Sequence, residues 1–250
     1  MRVAAVGHQC VECVESGAAT IRPPVTQFGG REQPSGIPVV TIALIAINVL
    51  AFVLEMALPG VEKDLALWPP AVADGQWYRL VTSAFMHYGP THLLLNMWAL
   101  FVVGPSLEML LGRLRYGALY ALCGLGGSVL VYLISPINTA TAGASGAIFG
   151  LFAATLVVGK RLAYDVRWVV AVIVINMVYT FVVPAVSSQL ISWQGHVGGL
   201  VTGGVVAAAY VYPPKERRNL VQAITTIVTL VVFAALIWWR TVELTAEFAV

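Results

Sequence analysis

Gly143-Ala144-Ser145-Gly146-Ala147-Ile148-Phe149-Gly150 opens an apolar run that continues to Gly159. A serine between glycines at the head of such a run stands beside the unsatisfied N–H groups and positive dipole end of a helix, where a developing oxyanion is stabilised. What surrounds that helix follows from composition. Hydrophobic residues make up 59% of the chain and charged residues 10%, and the mean hydropathy is +0.84, which excludes an ordinary soluble domain. The expected fold class is an all-α membrane protein.

Seven apolar runs, near 38–58, 91–111, 115–135, 143–159, 167–184, 195–212 and 219–239, are long enough, or nearly so, to cross a hydrocarbon core that takes about 20 helical residues. Short cytoplasmic loops collect Lys and Arg, so charge orients the bundle. With the N-terminus inside, the inner segments hold Arg2, Arg22, Arg31, Arg113, Arg115, Lys160, Arg161, Arg167, Lys215, Arg217 and Arg218, and the outer ones only Lys63, Arg79 and Arg240. That division places the N-terminus in the cytoplasm and the C-terminus outside, in a multi-pass protein of the cell membrane. The net charge of +2 reflects this topology, and no nucleic-acid patch is present in it.

Runs two, four and six then share a direction, and their N-terminal ends share the outer leaflet. The polar residues at those ends are His92 and Asn96, Ser145, and His196. Each has a plain reading: Ser145 as a helix cap, His196 as a packing residue, His92 and Asn96 as a bridge to a neighbouring helix. His92 and Asn96, at i and i+4, occupy one helix face, with Asn96 about 6 Å deeper. Strongly polar residues within a span are costly and default to function, and the plain readings explain four of them in one layer poorly.

Small-residue ridges support the same geometry. Gly195, Gly199 and Gly203 recur at four-residue spacing in run six, as do Gly146, Gly150 and Ala154 in run four. Such ridges let backbones approach closely and bring His196 within reach of Ser145. A serine hydroxyl needs a base to become nucleophilic, and histidine suits that task. No carboxylate lies near enough to orient His196, because Glu108 is several turns deeper, so a Ser/His dyad is the economical reading. His92 and Asn96 are then the hydrogen-bond donors to the oxyanion, beside the Ser145 backbone N–H.

Three motifs in this order, His87-Tyr88-Gly89-Pro90-Thr91-His92-Leu93-Leu94-Leu95-Asn96, Gly143-Ala144-Ser145-Gly146 and Gly195-His196-Val197-Gly198-Gly199, resemble those of the rhomboid intramembrane serine proteases. The resemblance covers about residues 37–212. It implies a rhomboid-like bundle with a six-helix core and one C-terminal helix, with Ser145 as nucleophile, His196 as general base, and His92, Asn96 and the backbone at Gly143 around the oxyanion. It also implies substrates among single-span membrane proteins cut in or near their spans, with no cofactor required. Phe149 stands where the family has an aromatic packed on the base histidine. Trp77 and Arg79 resemble the Trp-Arg element of the family's first loop, with Tyr78 interposed, and His87 resembles a non-catalytic histidine at the mouth of the site.

The chain divides into a cytosolic segment 1–37, a core 38–212, and a linker, seventh span and short tail over 213–250. Pro and Gly at 23, 24, 29, 30, 34 and 36 make the first segment read as flexible. Within it, His8, Cys10 and Cys13 have the spacing of half a zinc site; a zinc shared between chains, a longer reading frame, and two reduced thiols are all compatible with it. Cys123, in run three, reads as packing. Glu108 and Arg113 read as an anchor between runs two and three. No cleavable signal peptide is expected, since the first apolar run starts only after residue 37.

Hydrolysis needs water, and the uncharged loops 136–142 and 185–194 around two short helices are expected to surround an outward-facing cavity. Substrate is expected to arrive laterally near run five, with loop 185–194 as a cover. Trp193 and the Trp68-Pro69-Pro70 stretch read as interfacial anchors. Run seven, ending in Trp238-Trp239-Arg240, is expected at the periphery and the tail after it is uninformative. Two other classes compete: a catalytically silent, client-binding relative, which the presence of both Ser145 and His196 disfavours, and a transporter, which would carry more intramembrane charge and paired broken helices.

Overall fold

In the computed structural model the described residues are 2–3, 7–20, 24–32, 36–186 and 191–248. A two-residue ladder of β1 (Arg2–Val3) and β2 (His8–Gln9) precedes the helices α1 (Val11–Thr20), α2 (Val39–Ala57), α3 (Val61–Leu65), α4 (Pro69–Ala73) and α5 (Arg79–Thr82). After the 3-10 turn Ser83–Phe85 come α6 (Pro90–Leu111), α7 (Arg113–Ile134), α8 (Ser145–Arg161), α9 (Arg167–Val186), α10 (Trp193–Val211) and α11 (Arg218–Phe248). Among the described residues, five helices, α2, α6, α7, α9 and α11, are long and apolar enough to cross a membrane, so the chain is a multi-pass membrane protein. The other two expected spans are α8, only 17 residues long, and α10, which carries Gln194, His196 and several glycines.

The helices are layered by enclosure. In its most apolar stretch α7 is 56% buried, against 39% for α6, 17% for α2, 11% for α9 and 6% for α11. Val174, Ile175 and Phe181 on α9 remain exposed, as a lipid-facing surface requires. Because lipid tails are as apolar as leucine, the hydrophobic effect does little to drive the helices together, and close packing has to hold them. Glycine provides it at the centre: a side chain at Gly199 would run into the Gly146 backbone, and one at Gly203 into that of Gly150. A Cβ on Gly127 would come within 2.7 Å of the Gly195 carbonyl oxygen. Helices α7, α8 and α10 therefore meet backbone to backbone, and Leu119, Leu122, Cys123, Leu151 and Val206 fill the space around them.

At the end of the bundle remote from Ser145, Glu108 is fully buried and holds the start of α2. Its carboxylate accepts hydrogen bonds from the backbone N–H groups of Val40 at 2.9 Å and Thr41 at 2.8 Å, and from the Thr41 hydroxyl at 2.9 Å. Two otherwise unpaired N–H groups at a helix N-terminus thus meet acceptors. The anchor expected between runs two and three instead ties runs one and two, and Arg113 is exposed. Gly112, the single residue between α6 and α7, adopts φ 79°, and a Cβ there would approach the Gly30 Cα to 2.8 Å.

That contact belongs to a second departure from expectation. Residues 24–32, read from their Gly and Pro content as part of a flexible segment, form a tight turn packed on the bundle. Val25 bridges Arg31, and the Thr26 N–H donates to the Gly30 carbonyl at 2.7 Å. Phe28, 2% exposed, enters the main core cluster. The Phe28 carbonyl accepts from Gln222 Nε2 at 3.2 Å, and the Gln27 carbonyl accepts from Arg218 at 2.7 Å. Arg115 donates to Gln222 Oε1 at 2.6 Å and to Asn219 Oδ1 at 2.8 Å, so the turn, α7 and the foot of α11 form one polar cluster.

Helix α11 is peripheral, as expected, but it runs to Phe248 and absorbs the tail after Trp239. Thr241 and Thr245 donate back to the carbonyls of Ile237 and Thr241, both at 2.8 Å, and Arg240 pairs with Glu243 at 2.8 Å, so polar residues extend the helix. Leu244, fully buried, packs with Leu67, Val72, Ala73, Leu80 and Tyr132 and joins α11 to the segment 58–89.

Candidate active site

Three helix N-termini, those of α6, α8 and α10, meet at the end of the bundle opposite Glu108, around a cavity of about 870 Å³ lined by His92, Asn96, Gly143, Ser145, Thr180 and His196. The floor of segment 58–89 is built on Arg79. Its guanidinium, 6% exposed, donates to the carbonyls of Lys63 and Ala66, each at 2.8 Å, and to Gln76 Oε1 at 2.7 Å. Leu67 and Thr141 exchange backbone hydrogen bonds of 2.9 and 2.8 Å, which fastens this segment to the strand-like approach to α8. Trp77, paired with Arg79 in the sequence reading, is exposed.

The approach to Ser145 is tightly specified. The Gly143 N–H donates to the Ser83 carbonyl at 2.9 Å, and Gly143 itself takes φ 134°, a conformation that disfavours any side chain. A Cβ there would lie 2.8 Å from His92 Cε1, so glycine leaves the room that His92 fills. Ser145 is the first residue of α8, and the N–H groups of the first turn have no partner within the helix.

His196 is placed by α10, whose start is capped by Ser192 accepting from the Gly195 N–H at 3.3 Å. Its Nε2 lies 2.9 Å from Ser145 Oγ. Phe149, one turn after Ser145, stacks on the imidazole with centroids 4.2 Å apart and planes 14° from parallel. The glycine contacts between α8 and α10 set this distance, since a bulkier ridge would push the two helices apart.

His92 and Asn96 face the same cavity from α6. Asn96, 6% exposed, donates one amide hydrogen to the His92 carbonyl at 3.0 Å, and its second remains for another acceptor. His92 lies between two rings, T-shaped to His87 at 5.1 Å and stacked on Tyr88 at 6.4 Å. His87 is wholly buried behind it. The Phe85 carbonyl at 3.2 Å can only accept, so His87 Nδ1 carries the proton; its backbone N–H donates to Glu55 Oε2 at 3.1 Å. Burial, with a smaller contribution from neighbouring His92, pushes the His87 pKa down to about 4, so this histidine is a neutral support.

Where a carboxylate would orient His196, the structure has Thr180 on α9, a residue that does not stand out in the sequence. Its hydroxyl, 2% exposed, lies 2.8 Å from His196 Nδ1 and donates to the Asn176 carbonyl at 2.7 Å. The available signal was Asn176 and Thr180 at four-residue spacing in an otherwise apolar run. Residues 187–190 of the expected covering loop lie outside the described residues; of the rest, Ile191 and Ser192 line the cavity and Trp193 packs on Phe181 at 6.2 Å.

Among the described residues, no group of three or more His, Cys, Asp or Glu is placed to hold a metal ion. Cys10 and Cys13 are exposed free thiols, with the Cys13 N–H donating to Cys10 Sγ at 3.0 Å. Two thiols are half of the four ligands that a tetrahedral zinc takes, and the side chain of His8 lies outside the described residues. Cys123 is buried and packs against Gly150.

Comparison with known proteins identifies the family of the chain. The rhomboid domain family matches residues 74–214. Rhomboid protease GluP of Bacillus subtilis is 32% identical over 217 residues, covering 80% of this chain and 40% of GluP. The rhomboid-family protein YdcA of the same organism is 33% identical over 196 residues, 72% of this chain and 92% of YdcA. Rhomboid protease AarA of Providencia stuartii is 25% identical over 229 residues, 77% of this chain and 79% of AarA. With the rhomboid domain over more than half of its length, this chain belongs to the rhomboid family of multi-pass membrane proteases.

Proposed function

We propose that the protein is an intramembrane serine endopeptidase that cuts single-span membrane proteins in or near their spans, with Ser145 as nucleophile and His196 as general base. The observation that carries this reading is the 2.9 Å separation of Ser145 Oγ and His196 Nε2 at the wall of a cavity that His92, Asn96 and Thr180 also line. In the first step Ser145 Oγ bonds to the scissile carbonyl carbon while its proton passes to His196 Nε2. The oxyanion that forms is met by the Ser145 N–H, the second Asn96 amide hydrogen and His92. His196 then returns the proton to the departing amine, and a water activated by the same imidazole releases the acyl group. Apart from the substrate and the attacking water, the chain's own residues supply the groups in this sequence, and no cofactor enters it.

In this reading the chain crosses the cell membrane seven times, with the N-terminus in the cytoplasm and the C-terminus outside, and the cavity opens outward. Helix α9, the least enclosed of the core spans measured, is the side from which substrate approaches. The test is cleavage of a single-span substrate by purified protein in detergent or liposomes. Ser145→Ala and His196→Ala should each reduce the rate by several orders of magnitude, on the order of the 10⁴ to 10⁶ seen for catalytic groups that act as a unit. Cleavage surviving Ser145→Ala would defeat the proposal.

A further inference from the structure

The geometry points to Thr180 as the residue that holds His196 in the tautomer a general base requires. This rests on the proposed roles of Ser145 and His196. A hydroxyl has one hydrogen, and Thr180 Oγ1 has two neighbours within hydrogen-bond distance: the Asn176 carbonyl at 2.7 Å and His196 Nδ1 at 2.8 Å. The carbonyl can only accept. With the hydroxyl hydrogen committed to it, Thr180 Oγ1 accepts from His196 Nδ1–H, and in the neutral ring the remaining lone pair then resides on Nε2. Nε2 is the atom 2.9 Å from Ser145 Oγ, so the ring faces the serine as an acceptor.

The chain Asn176 carbonyl, Thr180 hydroxyl, His196 imidazole, Ser145 hydroxyl has one direction, with every hydrogen placed. A neutral hydroxyl takes the position in which an orienting acid was sought. When His196 becomes doubly protonated, the Nδ1–H keeps its acceptor, so the ring does not turn between the two halves of the reaction.

The experiment compares the full chain with Thr180→Val, which keeps shape but lacks the hydroxyl, and Thr180→Ser, which keeps the hydroxyl. Loss of a hydrogen bond between neutral groups should lower kcat about three- to tenfold in Thr180→Val, with KM unchanged and rescue by Thr180→Ser. Wild-type kcat in Thr180→Val, or an equal loss in Thr180→Ser, overturns the inference. Nitrogen-15 spectra of histidine-labelled wild-type protein provide a readout that needs neither variant to fold: His196 protonated on Nδ1 is expected, and protonation on Nε2 alone overturns it. A Ser145→Ala control in the same assay separates the two levels. Cleavage that persists there indicts the proposed nucleophile, whereas its loss together with an unaffected Thr180→Val indicts only the role of Thr180.

Discussion

Phe149 lies flat on His196, 4.2 Å between centroids and 14° from parallel, and this stack fixes the plane in which the imidazole addresses Ser145. Both residues are buried, so the ring has a wall on one face and a hydrogen-bond partner at each nitrogen. Phe149→Leu keeps bulk but removes the flat face. Since a well-formed aromatic stack contributes about 0.5–1.5 kcal/mol beyond area burial, kcat should fall about two- to tenfold with little change in KM. Steady-state cleavage rates decide it, and an unaltered kcat would show that the stack is packing alone.

Glu108 provides a stability test far from the site. Its carboxylate holds two N–H groups and one hydroxyl at the start of α2. Glu108→Ala leaves buried donors without an acceptor and should cost about 1–3 kcal/mol per unpaired group, read as a lowered Tm in detergent. Glu108→Gln, which retains one accepting oxygen, should fall between wild type and Glu108→Ala. Equal stability of all three would contradict the anchor.

His87 makes stability depend on acid. Its pKa in the fold, about 4, lies below the ordinary 6.5, so the fold favours the neutral ring. The resulting stabilisation is fully present above about pH 6.5 and is lost as pH falls through the window toward 4. Replacing His87 by Gln removes the titrating group, so the drop in Tm across that window should be smaller in His87→Gln than in wild type. Parallel Tm curves would place the acid sensitivity elsewhere.

Phe28 tests the packed turn at 24–32. Phe28→Ala should destabilise by about 3–5 kcal/mol, the usual cost of emptying a buried aromatic site. Limited proteolysis should then cut near residue 30 in the variant and spare the wild type. Because the turn sits at the end of the bundle opposite Ser145, the kcat of the remaining folded protein should be unchanged.

The parts legible from sequence were those where a polar residue stands out against an apolar background. Ser145, His196, His92 and Asn96, which the structure brings to one cavity, stand out in the sequence because a membrane span tolerates few such groups, and the glycine ridges because their four-residue spacing lets backbones meet. Thr180 escaped because a threonine inside a membrane helix ordinarily satisfies its hydroxyl on the carbonyl four residues back, as it does here with Asn176, and its second contact belongs to another helix. Phe28 was hidden by its Gly and Pro neighbours, which signal a turn but not whether that turn is docked. The end of α11 was misplaced because Arg240 reads as a membrane boundary, whereas its pairing with Glu243 lets the helix continue. Glu108 was recognised as an anchor, but its partner, a backbone N-terminus, has no sequence signature.

Activation of the Ser145 hydroxyl by His196 is the step on which the proposed activity depends most. Reaction of the purified protein with a fluorophosphonate, followed by mass spectrometry of the labelled peptide, measures this without reference to any substrate. A single adduct on Ser145, formed in wild type and lost in both Ser145→Ala and His196→Ala, is the predicted result. An adduct on another residue, or undiminished labelling of Ser145 in His196→Ala, would contradict it.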